Sequence, residues 1–262
     1  MLLSRVCGTI MLFLVMSAQA VATDWTPPEN PDLLEVLNEA RLDVEAERYE
    51  AALEKLIWFH HYAEQVGESV SGARLSYALY DWVELGQEYP PAMDRLLDIR
   101  ASLVARLMHD EYDGSAFHDL VSINAVLGEE SKTTEIFKLI DSRGHEIARR
   151  AFFFAKTALI KDKEYGLYVK YVNPQNDFIS LKDGFESRMS TVGDSELNAS
   201  RVDSYHDWFR NEVATLVAIL VVNGREQEAA EISVLAKEVL DEPRFHEELE
   251  DALAGNVPAP LF

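Results

Sequence analysis

Apolar residues recur at intervals of three and four positions along most of this chain, from Leu33 to Val239. The first such stripe contains Leu33, Val36, Leu37 and Ala40. This spacing places apolar side chains on one face of an α-helix. We find no run that alternates strictly between apolar and polar residues, and no hairpin dipeptide between two apolar runs. The sequence therefore predicts an all-α fold.

Helix-breaking residues divide the apolar stripes at short intervals. Pro90 begins one predicted helix, and Gly128, Gly144 and Gly224 mark turns between others. Pro31 and Asp32 open the first predicted helix, because proline is tolerated in a first turn and an acidic residue there suits the helix dipole. The predicted helices are about 12–18 residues long and the turns are short, which indicates antiparallel pairs of neighbouring helices.

A short segment recurs at the predicted turns between paired helices. Five copies align, at residues 46–53, 85–93, 127–135, 161–168 and 223–231. In three copies a glycine closes the first helix, because glycine adopts the left-handed conformation at little cost. Ala46 stands in its place in the first copy, with Tyr49 and Ala52 in register. The glycine-equivalent positions lie 40, 42, 34 and 62 residues apart. The first three intervals are typical of helical solenoid repeats, and the fourth indicates an insertion.

The recurring segment resembles the repeat of the tetratricopeptide (TPR) superfamily. Repeats of that family have a glycine near the turn, a tyrosine or similar residue after it, and a small residue in the second helix. The matching residues are Tyr49 with Ala52, Gly86 with Tyr89 and Ala92, and Gly224 with Ala230. Residues 58–61 and 74–82 are also similar to exported bacterial TPR-like proteins that have no assigned activity. The resemblance extends over about residues 33–255 and implies an α-α superhelix of about five antiparallel helix pairs.

The repeats and their interruption give the expected domain boundaries. We expect the TPR-like helical domain at residues 32–255 and a C-terminal tail at residues 256–262. Within the domain, residues 173–200 interrupt the repeats and are rich in Asp, Ser, Asn and Gly. We therefore expect an insertion there that forms a long loop with at most a short helix.

The N-terminus has the three-part layout of a secretory signal. Residues 1–5 carry one positive charge, an apolar run follows, and small residues precede a cut after Ala20. The apolar run is about 11 residues long, shorter than the ~20 residues that span a bilayer. We expect a signal peptide at 1–20, a linker at 21–31 and an exported protein, periplasmic or extracellular, with no transmembrane segment after cleavage. A signal anchor and a cut after Ala22 are the alternatives.

The chain is strongly acidic and almost free of cysteine. It contains 46 acidic and 24 basic residues, for a formal net charge of -22. Nucleic-acid partners are disfavoured because phosphate contacts require a basic footprint, whereas cationic partners are favoured. The single cysteine, Cys7, lies within the predicted signal. We therefore expect no disulfide, zinc–thiolate site or cysteine nucleophile after cleavage.

Motifs for catalysis and cofactor binding are not found in the sequence. It has no glycine-rich phosphate loop, no dinucleotide-binding fingerprint and no nucleophile elbow. The acidic segment at 109–114 lacks the spacing of a calcium loop. Paired carboxylates are too common in so acidic a chain to indicate glycoside chemistry. We therefore expect no metal, no cofactor and no catalysis.

The chain has predicted helical repeats and no recognisable catalytic motif, and this combination favours a binding function. We expect a protein- or peptide-binding scaffold or adaptor of the bacterial envelope. Two alternatives remain open. One is a helical envelope enzyme that acts on a glycan through carboxylates on the concave face of the superhelix. The other is a structural subunit that self-assembles.

In TPR-like folds the first helix of each pair lines the concave face. The resemblance therefore implies a partner-binding face made by Arg41, Arg74, Tyr77, Asp81, Glu84, His118, Arg150, Phe153, Thr157, Glu212 and Thr215. Arg74, Tyr77 and Asp81 form the most suggestive group, because they place charge and an aromatic ring on one face of a predicted helix.

Overall fold

The computed structural model describes residues 25–66, 72–109, 113–192 and 199–261. Within these ranges the chain is 82% helical and contains no strand, which confirms the predicted all-α class. The predicted signal peptide and the first part of the predicted linker lie outside the described residues.

Twelve α-helices lie within the described residues. They are α1 (Leu33–Glu45), α2 (Tyr49–Val66), α3 (Tyr77–Glu88), α4 (Pro90–Met108), α5 (Gly114–Val126), α6 (Glu130–Arg143), α7 (His145–Lys161), α8 (Tyr165–Tyr168), α9 (Pro174–Ser190), α10 (Ala199–Val222), α11 (Glu226–Val239) and α12 (Pro243–Leu253). A short 3-10 helix, Val169–Tyr171, follows α8. The chain divides into two compact units, Met1–Met93 (unit 1) and Asp94–Phe262 (unit 2).

Unit 1 is built on the pairing of α1 with α2, and α3 contacts both of these helices. α1 begins after Asp32, whose Oδ1 accepts hydrogen bonds from the backbone N–H groups of Leu34 (2.9 Å) and Glu35 (3.2 Å). Such an N-cap satisfies donors that the first helical turn leaves without partners. Ala52 of α2 is fully buried, as expected for a small residue where paired helices meet. On α3, the Trp82 indole donates a hydrogen bond of 2.8 Å to the Ala92 carbonyl.

The C-terminal part of the predicted linker packs on α2 within unit 1. The ring centroid of Trp25 lies 5.7 Å from that of Trp58 on α2, with the two rings edge to face. The Lys55 ammonium lies 5.6 Å from the Trp25 ring centroid. Residues 25–32 form no helix, so this contact depends on side chains rather than on backbone pairing.

Unit 2 contains two sets of packed helices. α6 packs against α7, and α5 contacts both. α10 contacts α9, α11 and α12 around an apolar core that includes Phe178, Phe185, Phe209, Val213, Val217, Ile232, Phe245 and Leu249. The main contacts inside each unit join helices that are neighbours or next neighbours in the chain.

Five turns in the described chain share one backbone geometry. A residue with positive φ ends the preceding helix in each of them: Glu47 (58°), Gly128 (66°), Lys163 (59°), Gly224 (72°) and Gly255 (84°). The next backbone N–H then donates to the carbonyl five residues earlier, at 2.8–3.1 Å. This is the hydrogen bond of a Schellman motif, which satisfies carbonyls at a helix end. Four of the five predicted copies of the repeat contain this turn.

The structure corrects the register of two copies and the role of one glycine. In the first and fourth copies the left-handed residues are Glu47 and Lys163, one position after the predicted ones. Gly86 does not close a helix, because α3 continues past it to Glu88. A Cβ on Gly86 would lie 3.0–3.2 Å from atoms of Met93, so this glycine permits a close approach of the two residues instead.

The predicted long loop at 173–200 is wrong, because α9 occupies most of it. Asn173 caps this helix by accepting a hydrogen bond of 3.1 Å from the Asn176 N–H, and Pro174 is its first residue, where proline is tolerated. Phe178 and Phe185 lie two turns apart on one face and are buried in the core around α10. Burial of this apolar face against α10 stabilises the helix, although most of its other residues are polar.

Candidate functional site in the groove of unit 2

Five of the predicted binding residues lie in unit 1, four of them on α1 and α3. Arg41 Nε donates a hydrogen bond of 2.9 Å to Asp81 Oδ2, and both residues line a cavity of about 300 Å³ together with Glu84. Tyr77 is exposed on the first turn of α3. Arg74 precedes α3 and is only 5% exposed. It therefore does not share a helix face with Tyr77 and Asp81, and the predicted group of three is not formed.

Three predicted residues of unit 2 come together in one groove. Phe153 and Thr157 of α7 and Glu212 of α10 line a groove of about 570 Å³. Phe153 is 73% exposed, an unusual position for a large aromatic ring. This groove is the candidate functional site.

The remaining predicted residues of unit 2 lie outside the groove. Arg150 is exposed on α7. His118 is half-buried, and its ring stacks on that of Phe154 with centroids 4.5 Å apart. Thr215 is only 4% exposed, because it belongs to the stretch of α10 that is buried on all sides. Thr215 is therefore a core residue and not a partner-binding one.

The groove has walls from three helices and a contribution from a short fourth one. Besides the three predicted residues, it is lined by Lys156 of α7, Tyr168 of α8, Asp177 and Arg188 of α9, and Trp208 of α10. The sequence prediction missed these five residues, and it missed Asp177 and Arg188 because it placed a loop where α9 is. The spacing of Phe178, Leu181, Phe185 and Met189 was the available signal for that helix.

An arginine stacked on a tryptophan forms one wall of the groove. The Arg188 guanidinium lies 4.1 Å from the centroid of the Trp208 ring, and its Nη1 donates a hydrogen bond of 2.9 Å to the Gly184 carbonyl. A Cβ on Gly184 would lie 3.0 Å from that Nη1 and 3.3 Å from the Trp208 ring. Glycine at this position therefore leaves room for the stacked pair.

A buried tyrosine forms part of the groove floor. Tyr168 is only 4% exposed, and its ring packs edge to face against Phe152 with centroids 4.9 Å apart. Its hydroxyl makes no hydrogen bond with any residue that the structure describes. Burial, and then the charges of Glu212 and Asp177, raise the pKa of this phenol, so it stays protonated. The floor thus contains a hydroxyl whose hydrogen-bonding capacity is unused within the described chain.

Two carboxylates and one ammonium complete the groove. Burial raises the pKa of both Asp177 and Glu212, and the positive charge of Lys156 offsets part of that rise. Asp177 accepts a hydrogen bond of 3.0 Å from the Asn173 N–H. Within the described ranges, Glu212 makes no hydrogen bond, and Lys156 makes neither a hydrogen bond nor an ion pair. The Lys156 ammonium lies 5.4 Å from the centroid of the Phe152 ring.

The chemistry of the groove suits noncovalent recognition. It offers exposed aromatic surface, a hydroxyl and charges of both signs, and its lining contains no histidine or cysteine. The part of the chain that the structure describes has no cluster of three or more histidine, cysteine, aspartate or glutamate side chains placed to hold a metal ion. No described helix is long and apolar enough to cross a membrane.

Comparisons with known proteins leave the groove as the main guide to function. Protein-family models, curated proteins and solved structures were each compared with the chain, and none of them matches it.

Proposed function

We propose that this protein is a peptide-binding scaffold, which holds an extended segment of a partner protein in the groove between α7, α9 and α10. The observation that supports this best is that exposed Phe153 borders a groove in which the Tyr168 hydroxyl and the Glu212 carboxylate make no hydrogen bond with any described residue. The groove volume of about 570 Å³ lies within the range of ligand-binding pockets. Aromatic residues and arginine, both present here, dominate the binding energy of many interfaces.

The proposal includes a TPR-like superhelix of about five helix pairs. The five Schellman turns of one geometry support it, because a repeat architecture reuses one supersecondary unit. Contacts between neighbouring and next-neighbouring helices inside each unit are also those of stacked repeats. We further propose that the scaffold acts in the bacterial envelope after export, on the strength of the three-part N-terminus.

A displayed random-peptide library, selected on the folded protein, tests the binding function. Thr157→Trp adds a large side chain at an exposed position in the groove and should abolish enrichment of the peptides that bind the wild type. Ser131→Trp is a matched control, because Ser131 is exposed on α6 and is not part of the groove lining. Circular dichroism should show native helicity for both variants. Peptides that bind the wild type and Thr157→Trp equally well would rule out this groove as the binding site.

The paired carboxylates favour one second candidate, an envelope enzyme that acts on a glycan. A carboxyl group whose pKa is raised by burial, as for Glu212, suits a general acid, and a second carboxylate, Asp177, lines the same groove. This candidate predicts release of reducing ends from purified bacterial cell-wall glycan by the wild type, and at least a hundredfold slower release by Glu212→Gln. A wild-type protein that releases none would exclude it.

A further inference from the structure

We infer that the bound segment presents one lysine or arginine side chain to the groove floor formed by Tyr168, Asp177 and Glu212. This inference rests on the proposed peptide-binding function and specifies the chemistry of the partner. It depends on three properties of the groove: its charge balance, its unused hydrogen-bonding atoms and its exposed aromatic ring.

The charges of the groove leave an excess of negative charge at the floor. Asp177 and Glu212 contribute two carboxylates, whereas Lys156 contributes one ammonium. Arg188 is a second cation of the groove lining, but its guanidinium is stacked on Trp208, and only the charge of Lys156 influences the pKa of Asp177 and Glu212. One further cation would neutralise the floor. The net charge of -22 of the whole chain adds a long-range attraction for a cationic partner.

The unused polar atoms of the floor are suited to an ammonium or guanidinium group. The Tyr168 hydroxyl oxygen and the Glu212 carboxylate can each accept a hydrogen bond, and neither does so from any described residue. A charged donor makes stronger hydrogen bonds with such acceptors than a neutral one. An apolar side chain in this place would leave both acceptors without partners and without water, which is unfavourable.

Phe153 provides a surface for the rest of the cationic side chain. Its ring is 73% exposed and borders the groove. Lysine and arginine side chains combine an apolar stem with a charged end, so the stem can pack on an aromatic ring while the end reaches polar groups. The cation itself is also attracted to the face of an aromatic ring.

Two end-blocked pentapeptides test the inference with the full mature chain. Both have the sequence alanine–leucine–X–leucine–alanine, where X is lysine in one and norleucine in the other, so they differ only in the charged end group. Titration calorimetry at pH 7 should show about tenfold tighter binding of the lysine peptide, as expected for a charge pair in a partly desolvated groove. Raising the salt concentration should reduce this difference, because salt screens the attraction.

Two charge substitutions in the groove should change lysine-peptide binding in opposite directions. Glu212→Gln keeps the shape of the side chain and removes one negative charge, so it should weaken binding about tenfold. Lys156→Gln removes the competing ammonium and should strengthen binding about threefold, by the same electrostatic reasoning. Glu135→Gln is the matched control, because Glu135 is exposed on α6 outside the groove. If Glu212 and Lys156 had only a structural role, the two substitutions would not change the affinity for the lysine peptide in opposite directions.

The possible outcomes separate this inference from the proposed function. If both peptides bind equally, and Thr157→Trp abolishes binding of both, the groove binds peptides but the preference for a cation is wrong. If neither peptide binds, the inference is overturned, and the proposed function is overturned with it only if the random-peptide library also yields no peptide that binds the wild type. Preference for lysine over norleucine that is lost in Glu212→Gln and kept in Glu135→Gln supports both.

Discussion

The charged residues of unit 1 and those of the unit 2 groove have different surroundings. In unit 1, the buried Lys55 contacts the buried Asp43, and Arg48 Nε donates a hydrogen bond of 2.8 Å to the same carboxylate. In the groove, Lys156 and Glu212 make no ion pair with any described residue. Removing a charge from water is costly unless a partner compensates for it. The charges around Asp43 are therefore compensated within the fold, whereas Lys156 offsets only part of the burial cost of Glu212, which leaves this carboxylate suited to a ligand.

The pKa values of Asp43 in unit 1 and Glu212 in the groove are shifted in opposite directions. Burial alone would raise the pKa of Asp43, but hydrogen bonds from Lys55 and Arg48 outweigh it and lower this pKa below 3.8. For Glu212, burial is the largest influence, and its pKa is raised above 4.5. A lowered pKa means that ionised Asp43 favours the folded state, and a raised pKa means that ionised Glu212 opposes it.

The largest effect should come from breaking the buried charge cluster of unit 1. Asp43→Ala leaves the Lys55 ammonium buried without its closest carboxylate, with the carboxylate of Glu39 3.8 Å away. We expect the free energy of unfolding at pH 7 to fall by about 3 kcal/mol. Glu35→Ala, which removes an exposed acid from the same helix, should cost less than about 0.5 kcal/mol. Urea unfolding followed by circular dichroism measures both.

The pH dependence of stability provides a second check on Asp43. Because its folded-state pKa is lowered, its contribution is fully present above pH 3.8 and is lost as the pH falls through the lowered value. The difference in stability between wild type and Asp43→Ala should therefore shrink in acid. A difference that stays constant down to the acid transition would mean that ionisation of Asp43 is not its cause.

Adding bulk should distinguish the core of unit 1 from the groove. Ala52 is fully buried on α2, whereas Thr157 is exposed on α7. Ala52→Trp should lower the free energy of unfolding by about 1–3 kcal/mol through overpacking. Thr157→Trp should change it by less than about 0.5 kcal/mol, as is usual for surface positions. Equal losses for the two variants would show that Thr157 is packed and that the groove is not open.

The periodic spacing of apolar residues made most of the helices predictable from the sequence. The amino-acid composition gave a wrong prediction for α9, because most residues between its buried positions are polar. The all-α class and the breaks at Pro90, Gly128 and Gly224 followed from local physics. α9 did not, since its Asp, Ser and Asn residues indicate a loop and only burial against α10 explains the helix. Local sequence does not show which face a distant helix will cover.

The candidate site was only partly predictable, because the local sequence does not show which helices pack against each other. Phe153, Thr157 and Glu212 were correctly placed on helices, but the sequence does not show that α9 brings Asp177 beside them. Arg74 was expected on the face of α3, yet the helix begins three residues later at Tyr77. Boundaries of helices are less predictable than their existence, and one turn of difference moves a side chain from the surface to the interior.

The Schellman turns that both units contain allow a comparison in which smaller changes in the free energy of unfolding are expected. Glu47 in unit 1 and Gly128 in unit 2 occupy the same left-handed position, where a side chain is strained. Glu47→Gly should raise the free energy of unfolding by about 0.5 kcal/mol, because relief of this strain exceeds the greater freedom of glycine in the unfolded chain. Gly128→Ala should lower it by about 1 kcal/mol through the backbone alone, since no other atom lies within 4 Å of the added Cβ. Changes of the same sign in thermal unfolding would contradict the shared geometry.

The smallest effect on stability is expected at Glu212, although its substitution should weaken lysine-peptide binding about tenfold. Because the folded-state pKa of Glu212 is raised, its contribution to stability is greatest below pH 4.5 and declines as the pH rises through the raised value. Glu212→Gln removes the buried negative charge, so the free energy of unfolding at pH 7 should stay the same or rise by about 0.5 kcal/mol. The charge cluster around Asp43 predicts the opposite response, because there the ionised group is compensated by two cations.

Urea unfolding of Glu212→Gln at pH 4 and pH 7 measures the difference. A loss of more than about 1 kcal/mol at pH 7 would mean that Glu212 is a structural residue like Asp43, and that its lack of a hydrogen bond is not the mark of a ligand site.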